Sequence, residues 1–241
     1  MHKIVTLFKR EFLGYFRSPV AYVFMGVFLI ASVGLPWFLG GFFESNDASL
    51  QRFFVFLPWI FLFLIPAVGM RLWAEEKRSG TWELLLTLPI SPWQAVLGKF
   101  LAGWAFVVLA LGLTCTMPLT ITYLGSPDWG PVLTGYLGSI LMAGSYLSIC
   151  SLTSSLTQNQ VISFVLSLGV CLVLVLLGWS VFDDFLIALN LPVTLVDVLA
   201  NFSFTTHFEP FIKGLITVKD LVFFLSLTLF SLAVNVMILE R

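Results

Sequence analysis

Few residues of this chain have side chains suited to metal, acid–base or phosphate chemistry. His207 and Glu209 stand two positions apart in a segment rich in aromatic residues. One imidazole and one carboxylate make a weak metal site, because zinc takes three or four protein ligands; an interfacial loop is the alternative interpretation. The Gly98-Lys99 pair has Trp93 where a phosphate-binding loop needs its first glycine. The sequence therefore predicts no metal site and no ATP-binding loop, and no cofactor on this chain.

Other catalytic patterns are missing from the sequence. Neither the HExxH motif nor the GxSxG motif occurs, and the three cysteines lie inside apolar runs without the spacing of metal ligands. No Asp, Glu, Lys or Arg stands near the middle of any long apolar segment. Ion-coupled carriers hold ionisable residues there, because the coupling ion needs a site in the membrane. A secondary transporter is therefore disfavoured.

The composition indicates a membrane protein. Hydrophobic residues make up 59% of the chain and charged residues 10%, whereas soluble domains are about 25% charged. The mean hydropathy is +1.01. The net charge of −1 gives no indication of a nucleic-acid partner. We therefore expect an all-α integral membrane protein that contacts membrane lipids.

Six segments are long and apolar enough, or nearly so, to cross a bilayer, which takes about 20 residues. They are residues 20–41, 53–70, 96–124, 132–156, 161–182 and 218–239. The second segment contains Pro58 and Pro66, which favour a kink. Small residues such as Gly135 and Gly138 recur along the fourth segment. Close helix packing explains them, and a polar lining of a substrate path is the alternative.

The basic residues predict the orientation of these spans. With both termini inside, nine basic residues face the cytoplasm and three face the other side, which agrees with the positive-inside rule. The inner residues are Lys3, Lys9, Arg10, Arg17, Arg71, Lys77, Arg78, Lys99 and Arg241. The outer residues are Arg52, Lys213 and Lys219.

A polar block separates the second span from the third. Residues 71–78 carry five charges, and Ser79-Gly80 offers a break in the chain. Thr81 is suited to cap a new helix that carries Glu83 in its first turn, and Pro89 ends that helix. A short amphipathic helix between two spans favours the docking of a cytoplasmic partner.

Two further segments are predicted to lie at the membrane surface. In residues 2–17, Phe8 and Phe12 recur at helical spacing, with Arg10 and Arg17 largely on other faces, so an interfacial helix is expected before Ser18. Residues 183–217 are too polar to span the membrane and too apolar for a free loop. This pattern suits a shallow or re-entrant element on the outer side.

The run from Glu75 to Ser91, EEKRSGTWELLLTLPIS, resembles the cytoplasmic signature of type-2 ATP-binding-cassette (ABC-2) permeases. It is most similar to the short permeases of the gliding-motility and nitrous-oxide-reductase-maturation type. The opening FKREFLGYFRSP and the closing HFEPFIKGLITVKD resemble the same family. The resemblance covers nearly all 241 residues, and the 71–92 block is its specific part.

The resemblance implies an ABC-2, type V ABC exporter-like fold in a single domain. It implies an elbow helix at residues 2–17, a coupling helix at 74–88 and an extracytoplasmic re-entrant region at 183–217. The implied contacts with the ATPase are Glu75, Glu76, Arg78, Gly80, Trp82, Glu83 and Leu85. The implied elbow residues are Phe8, Arg10, Phe12 and Arg17.

The resemblance also implies the partners and the location. Two copies of a cytoplasmic ABC ATPase, which would hold ATP and Mg²⁺, are expected to join two permeases, the second being a copy or a paralogue. An extracytoplasmic accessory protein is a further expected partner. The chain would lie in the bacterial inner membrane and would not itself be an enzyme.

Two other functions stay open on the sequence alone. The chain is alternatively an integral-membrane anchor or assembly factor that moves no substrate and binds a different cytoplasmic protein through residues 71–92. The third hypothesis is a membrane-embedded enzyme. It requires His207, Glu209 and the Asp183-Asp184 pair to converge at one membrane face.

Overall fold

The computed structural model describes residues 2–39, 49–81, 90–125, 127–188 and 192–240, and no strand occurs in these ranges. The helices, in chain order, are α1 (His2–Arg17), α2 (Pro19–Phe38), α3 (Gln51–Gly69), α4 (Arg71–Ser79), α5 (Pro92–Leu113), α6 (Thr116–Leu124), α7 (Trp129–Ser155), α8 (Gln160–Leu176), α9 (Ser180–Ala188), α10 (Val193–Ala200), α11 (Phe204–Ile212) and α12 (Val218–Leu239).

Five segments of the described chain are long and apolar enough to span a membrane. They are α2, α3 with α4, α5 with α6, α7 and α12. A sixth span is obtained if α8 and α9 count as one broken span, in which the axis bends by 85°. The predicted all-α membrane architecture is thus confirmed, with a break in the fifth predicted span.

Two of the spans begin at a serine cap followed by a proline. Ser18 caps α2, and Pro19 occupies its first turn, where a missing amide hydrogen costs nothing. Ser91 and Gln94 form a capping box at the start of α5, with Pro92 in the first turn. These caps fix where each apolar segment begins.

Helix α7 is the centre of the bundle and packs against α12, α3, α11, α8, α5 and α4. Some 67% of this span is buried, against 28% for α2 and α12. The small residues of α7 lie where neighbouring side chains approach closely. A Cβ added to Gly138 would stand 2.7 Å from Phe211 Cγ, and one added to Gly135 would stand 2.5 Å from Phe54 Cε2. Close packing therefore accounts for these glycines.

Several boundaries differ from the predicted ones. Pro58 and Pro66 both lie inside α3, and α4 extends the same span to Ser79. The predicted coupling helix was expected to begin at Ala74, but Ala74 already lies within α4. Gly80 ends α4 in the left-handed conformation, with φ at 72°, as the predicted break requires. The remainder of the predicted coupling helix, residues 82–88, lies outside the described residues.

At the break that follows α8, two hydroxyl groups bind one carbonyl of its last turn. Ser203 Oγ and Thr205 Oγ1 donate to the carbonyl of Val175 at 3.5 and 3.3 Å. Gly178 permits this approach, since an added Cβ would stand 2.3 Å from Ser203 Oγ. The chain from α9 to α11 then forms three short helices in the predicted re-entrant region.

Candidate functional site

The polar residues of greatest interest lie at one end of the bundle, which we call the α4 end. It comprises α1, α4, the start of α5 and the last turns of α7 and α12. At this end the junction between α3 and α4 is held by Ser154 of α7. The amides of Trp73 and Ala74 donate to Ser154 Oγ at 3.1 and 3.0 Å, and this hydroxyl donates to the carbonyl of Met70 at 2.9 Å. A single buried hydroxyl therefore satisfies three backbone groups where the regular helix is interrupted.

The Trp73 side chain extends this connection to α12. Its ring is fully buried, and Nε1 donates to Ser151 Oγ at 3.0 Å. Asn235 Nδ2 donates to the same hydroxyl at 2.7 Å. Lys77 Nζ donates to the carbonyl of Ser155 at 2.5 Å. Helix α4 is thus bonded along its length to the end of α7 and, through Ser151, to α12.

A buried lysine connects α4 to the other two elements of this end. Lys99 of α5 is only 3% exposed, and its ammonium lies 2.7 Å from Glu76 Oε1 and 3.7 Å from Glu11 Oε2. The same ammonium lies 5.2 Å from the centroid of the Trp73 ring, within the range of a cation–π interaction. Glu11 also accepts from Arg10 at 2.7 Å. Charges from α1, α4 and α5 therefore meet around one lysine.

Helix α1 packs mainly against α5. Leu7 is buried and lies so close to Gly98 that a Cβ added there would stand 2.8 Å from Leu7 Cδ2. Tyr15 stacks on Phe106 with ring centroids 4.9 Å apart. Burial raises the pKa of the Tyr15 phenol well above its usual range, so the hydroxyl stays protonated.

Four of the residues predicted to contact an ATPase lie in the described part of the chain, and their surroundings differ. Glu76 points into the bundle and binds Lys99, whereas Glu75 and Arg78 are exposed on α4 and Gly80 is the exposed left-handed residue that ends it. Trp82, Glu83 and Leu85 lie outside the described residues.

The structure also places the predicted elbow residues on α1. Phe8 and Phe12 stack with ring centroids 5.6 Å apart. Arg10 pairs with Glu11, and Arg17 is exposed in the last turn of the helix.

Sequence reasoning missed the central role of Lys99. The available signal was its isolation, because it is the only charged residue in the otherwise apolar α5. Glu11, Ser154 and Asn235 were also missed. Nothing in the sequence spacing indicates that Glu11 meets Lys99, that Ser154 meets the amide of Trp73, or that Asn235 meets Ser151. Each of these contacts joins separate helices.

At the opposite end of the bundle, His207 does not pair with Glu209. His207 Nδ1 lies 2.7 Å from Asp220 Oδ1, and Nε2 lies 2.8 Å from the carbonyl oxygen of Asn201. Glu209 instead accepts from Lys213 at the surface at 2.7 Å. Among the described residues, no group of three or more His, Cys, Asp or Glu could hold a metal ion. His207 and Glu209 therefore do not converge as a membrane-embedded enzyme would require.

We expect Asp220→Ala to lower the free energy of unfolding by about 1–3 kcal/mol, because it leaves a buried imidazole nitrogen without its partner. The measurement is denaturant titration of the purified protein in mild detergent. Glu209→Ala is the control and should cost about 0–1 kcal/mol, since its pair with Lys213 lies at the surface. Equal losses in the two variants would contradict a structural role for the His207–Asp220 pair.

The fold defines a helical integral membrane protein whose α4 end is held together by buried polar and ionic contacts. Residues 41–239 match the family model described as ABC-2 family transporter protein. The chain belongs to that family and is a permease component of an ABC transporter. Membership implies an ABC ATPase subunit as a partner. No curated protein matches the sequence.

Proposed function

We propose that this chain couples ATP hydrolysis by a separate cytoplasmic ABC ATPase to the export of a substrate or to outward mechanical transmission. In this proposal the α4 end faces the cytoplasm of a bacterial cell, so both termini lie on the inner side. Two ATPase subunits, which hold ATP and Mg²⁺, act on two permeases. The proposal further places the chain among permeases of the gliding-motility and nitrous-oxide-reductase-maturation type, which the run from Glu75 to Ser91 resembles.

The observation that carries the proposal is the anchoring of α4. A docking loop transmits force only if it is attached to elements that cross the membrane. Helix α4 is bonded to α7 through Ser154 and Ser151 and to α5 through the Glu76–Lys99 ion pair. A force applied just beyond Gly80 would thus act on α5 and α7 as well as on the span that α3 and α4 form together.

We assign docking to the segment that begins at the exposed end of α4. Arg78 and Gly80 lie at that end, and Trp82, Glu83 and Leu85 follow directly in the sequence. Glu76 is assigned an internal role, because its carboxylate is engaged by Lys99. The apolar residues Trp82 and Leu85 would suit the apolar centre of an interface, and the charged residues beside them in the sequence would suit its polar rim.

We expect Gly80→Pro and Glu83→Lys to abolish stimulation of the ATPase while membrane insertion stays normal. Proline cannot adopt the φ of 72° at Gly80, because its ring holds φ near −65°. Glu83→Lys reverses the charge offered to the partner. The measurement is the ATPase activity of the complex purified through a tag on this chain.

The matched control is Glu209→Lys, which makes the same charge reversal on the other end of the bundle and should leave stimulation unchanged. Full stimulation in both docking variants would overturn the assigned docking role. Recovery of the chain from native membranes with no ATPase would identify it instead as an anchor or assembly protein.

A further inference from the structure

A cavity of about 480 Å³ reaches the α4 end between α1, α2, α3, α4 and α5. Its volume falls within the range of about 300–1,000 Å³ that is typical of small-molecule sites. One part of its wall carries the charged residues Glu11, Arg71, Glu75 and Lys99, and most of the remainder is apolar. A ligand that fits this wall must itself be amphipathic.

Two of these four charges are already neutralised within the protein. Lys99 pairs with Glu76 and Glu11, and Glu11 also pairs with Arg10. Arg71 and Glu75 form no ion pair with any residue in the described part of the chain. Arg71 Nε is moreover buried without a hydrogen-bond acceptor among the described residues. Among the described residues that line the cavity, Arg71 thus offers an unpaired cation and Glu75 an unpaired anion.

The two unpaired charges lie on one face of the same helix, α4. Arg71 and Glu75 are four residues apart on α4, so their side chains project from one face with Cβ atoms about 5–6 Å apart. A ligand that carries a phosphate and an ammonium group a short distance apart would complement both. The guanidinium suits a phosphate, and the carboxylate accepts hydrogen bonds from an ammonium.

The apolar part of the cavity opens along the outside of the bundle. Val20, Val23 and Val27 of α2 line the cavity, yet they are 46%, 64% and 47% exposed on the chain. In an integral membrane protein, side chains exposed on a span face lipid or another subunit. Acyl chains of a ligand held at Arg71 would thus extend along these valines into the membrane.

We propose that this cavity binds a zwitterionic aminophospholipid of the phosphatidylethanolamine type. Its phosphate lies at Arg71, its primary ammonium lies at Glu75, and its acyl chains run along α2. A lipid with an anionic headgroup leaves Glu75 unpaired, and a choline headgroup has no N–H to donate to that carboxylate. The inference concerns a bound lipid and does not depend on coupling to an ATPase.

The test is native mass spectrometry of the full-length protein in mild detergent. Phosphatidylethanolamine, phosphatidylglycerol and phosphatidylcholine with identical acyl chains are added at equal concentrations. We expect the wild-type protein to retain phosphatidylethanolamine at least about tenfold over the other two, a free-energy difference of about 1.4 kcal/mol. Arg71→Gln should lose that binding about tenfold, and Glu75→Gln should lose the preference for ethanolamine.

Two further variants make the result decisive. Lys9→Gln removes an exposed cation of α1 that does not line the cavity, and its lipid binding should equal that of the wild type. Gly14 lines the cavity and has no atom within 4 Å of an added Cβ, so Gly14→Phe should fill the space and exclude the lipid without a clash at its base.

Preference for phosphatidylglycerol or undiminished binding in both Arg71→Gln and Gly14→Phe would overturn the proposal. Displacement of the lipid by inorganic phosphate alone would also overturn it, since it would identify a site for a free anion. Loss of ATPase stimulation in the docking variants, with lipid binding intact, would leave this inference standing and address only the proposed function.

Discussion

Lys99→Met is expected to lower the free energy of unfolding by about 3 kcal/mol, because it breaks a buried ion pair. Removal of one partner of a buried ion pair leaves the other charge uncompensated, at a cost of about 3–5 kcal/mol. The lower end of that range applies here, because Glu76 retains 18% exposure. The measurement is denaturant titration of the purified protein in mild detergent.

A double variant separates the ion pair from the loss of lysine packing. Lys99→Met combined with Glu76→Gln removes both charges, so most of the stability should return. Lys9→Met makes the same substitution at an exposed site on α1 and should change stability little. If Lys9→Met were as destabilising as Lys99→Met, the buried pair would not be the cause.

Gly69→Ala is expected to destabilise the protein through the contact between α3 and α7. A Cβ at position 69 would stand 2.3 Å from Cys150 Cβ, which is fully buried and attached directly to the backbone of α7. The two helices must therefore separate, and overpacking of this kind costs about 1–3 kcal/mol. Separation would also strain the nearby bonds from Ser154 to the α3–α4 junction.

The measurement is again denaturant titration, with Gly26→Ala as the matched control. Gly26 has no atom within 4 Å of an added Cβ, so the same substitution should cause no loss there. Adding Cys150→Gly to Gly69→Ala removes the opposing Cβ and should restore part of the stability. Equal stability of Gly69→Ala and the wild-type protein would show that the helices are not in the close contact described.

Much of the fold could be predicted from local signals. The apolar segments are long enough to identify the spans, and the capping residues Ser18 and Ser91 with their prolines mark two starts. Gly80 marks the end of α4 because its left-handed conformation favours glycine. Each of these signals depends only on residues close together in the sequence.

The contacts that build the candidate site could not be predicted in the same way. The Glu76–Lys99 pair and the Trp73–Ser151 bond join different helices, and their formation depends on how the helices rotate in the bundle. The contact of His207 with Asp220 could not be predicted either, since the sequence offered Glu209 only as a second member of a weak metal site. Residues two apart on a helix project in different directions, and Asp220 reaches the imidazole from α12.

The course of α7 has a consequence for the whole molecule. Near one end, Ser151 and Ser154 bind α4, and near the other, Thr134 donates to the carbonyl of Phe211 in α11 at 2.7 Å. The helix is unbroken over 27 residues, a length of about 40 Å at 1.5 Å per residue. If the distance between α4 and α11 changes, α7 must therefore bend or one of the bonds near its ends must break. This one helix thus sets the distance between the two ends of the protein.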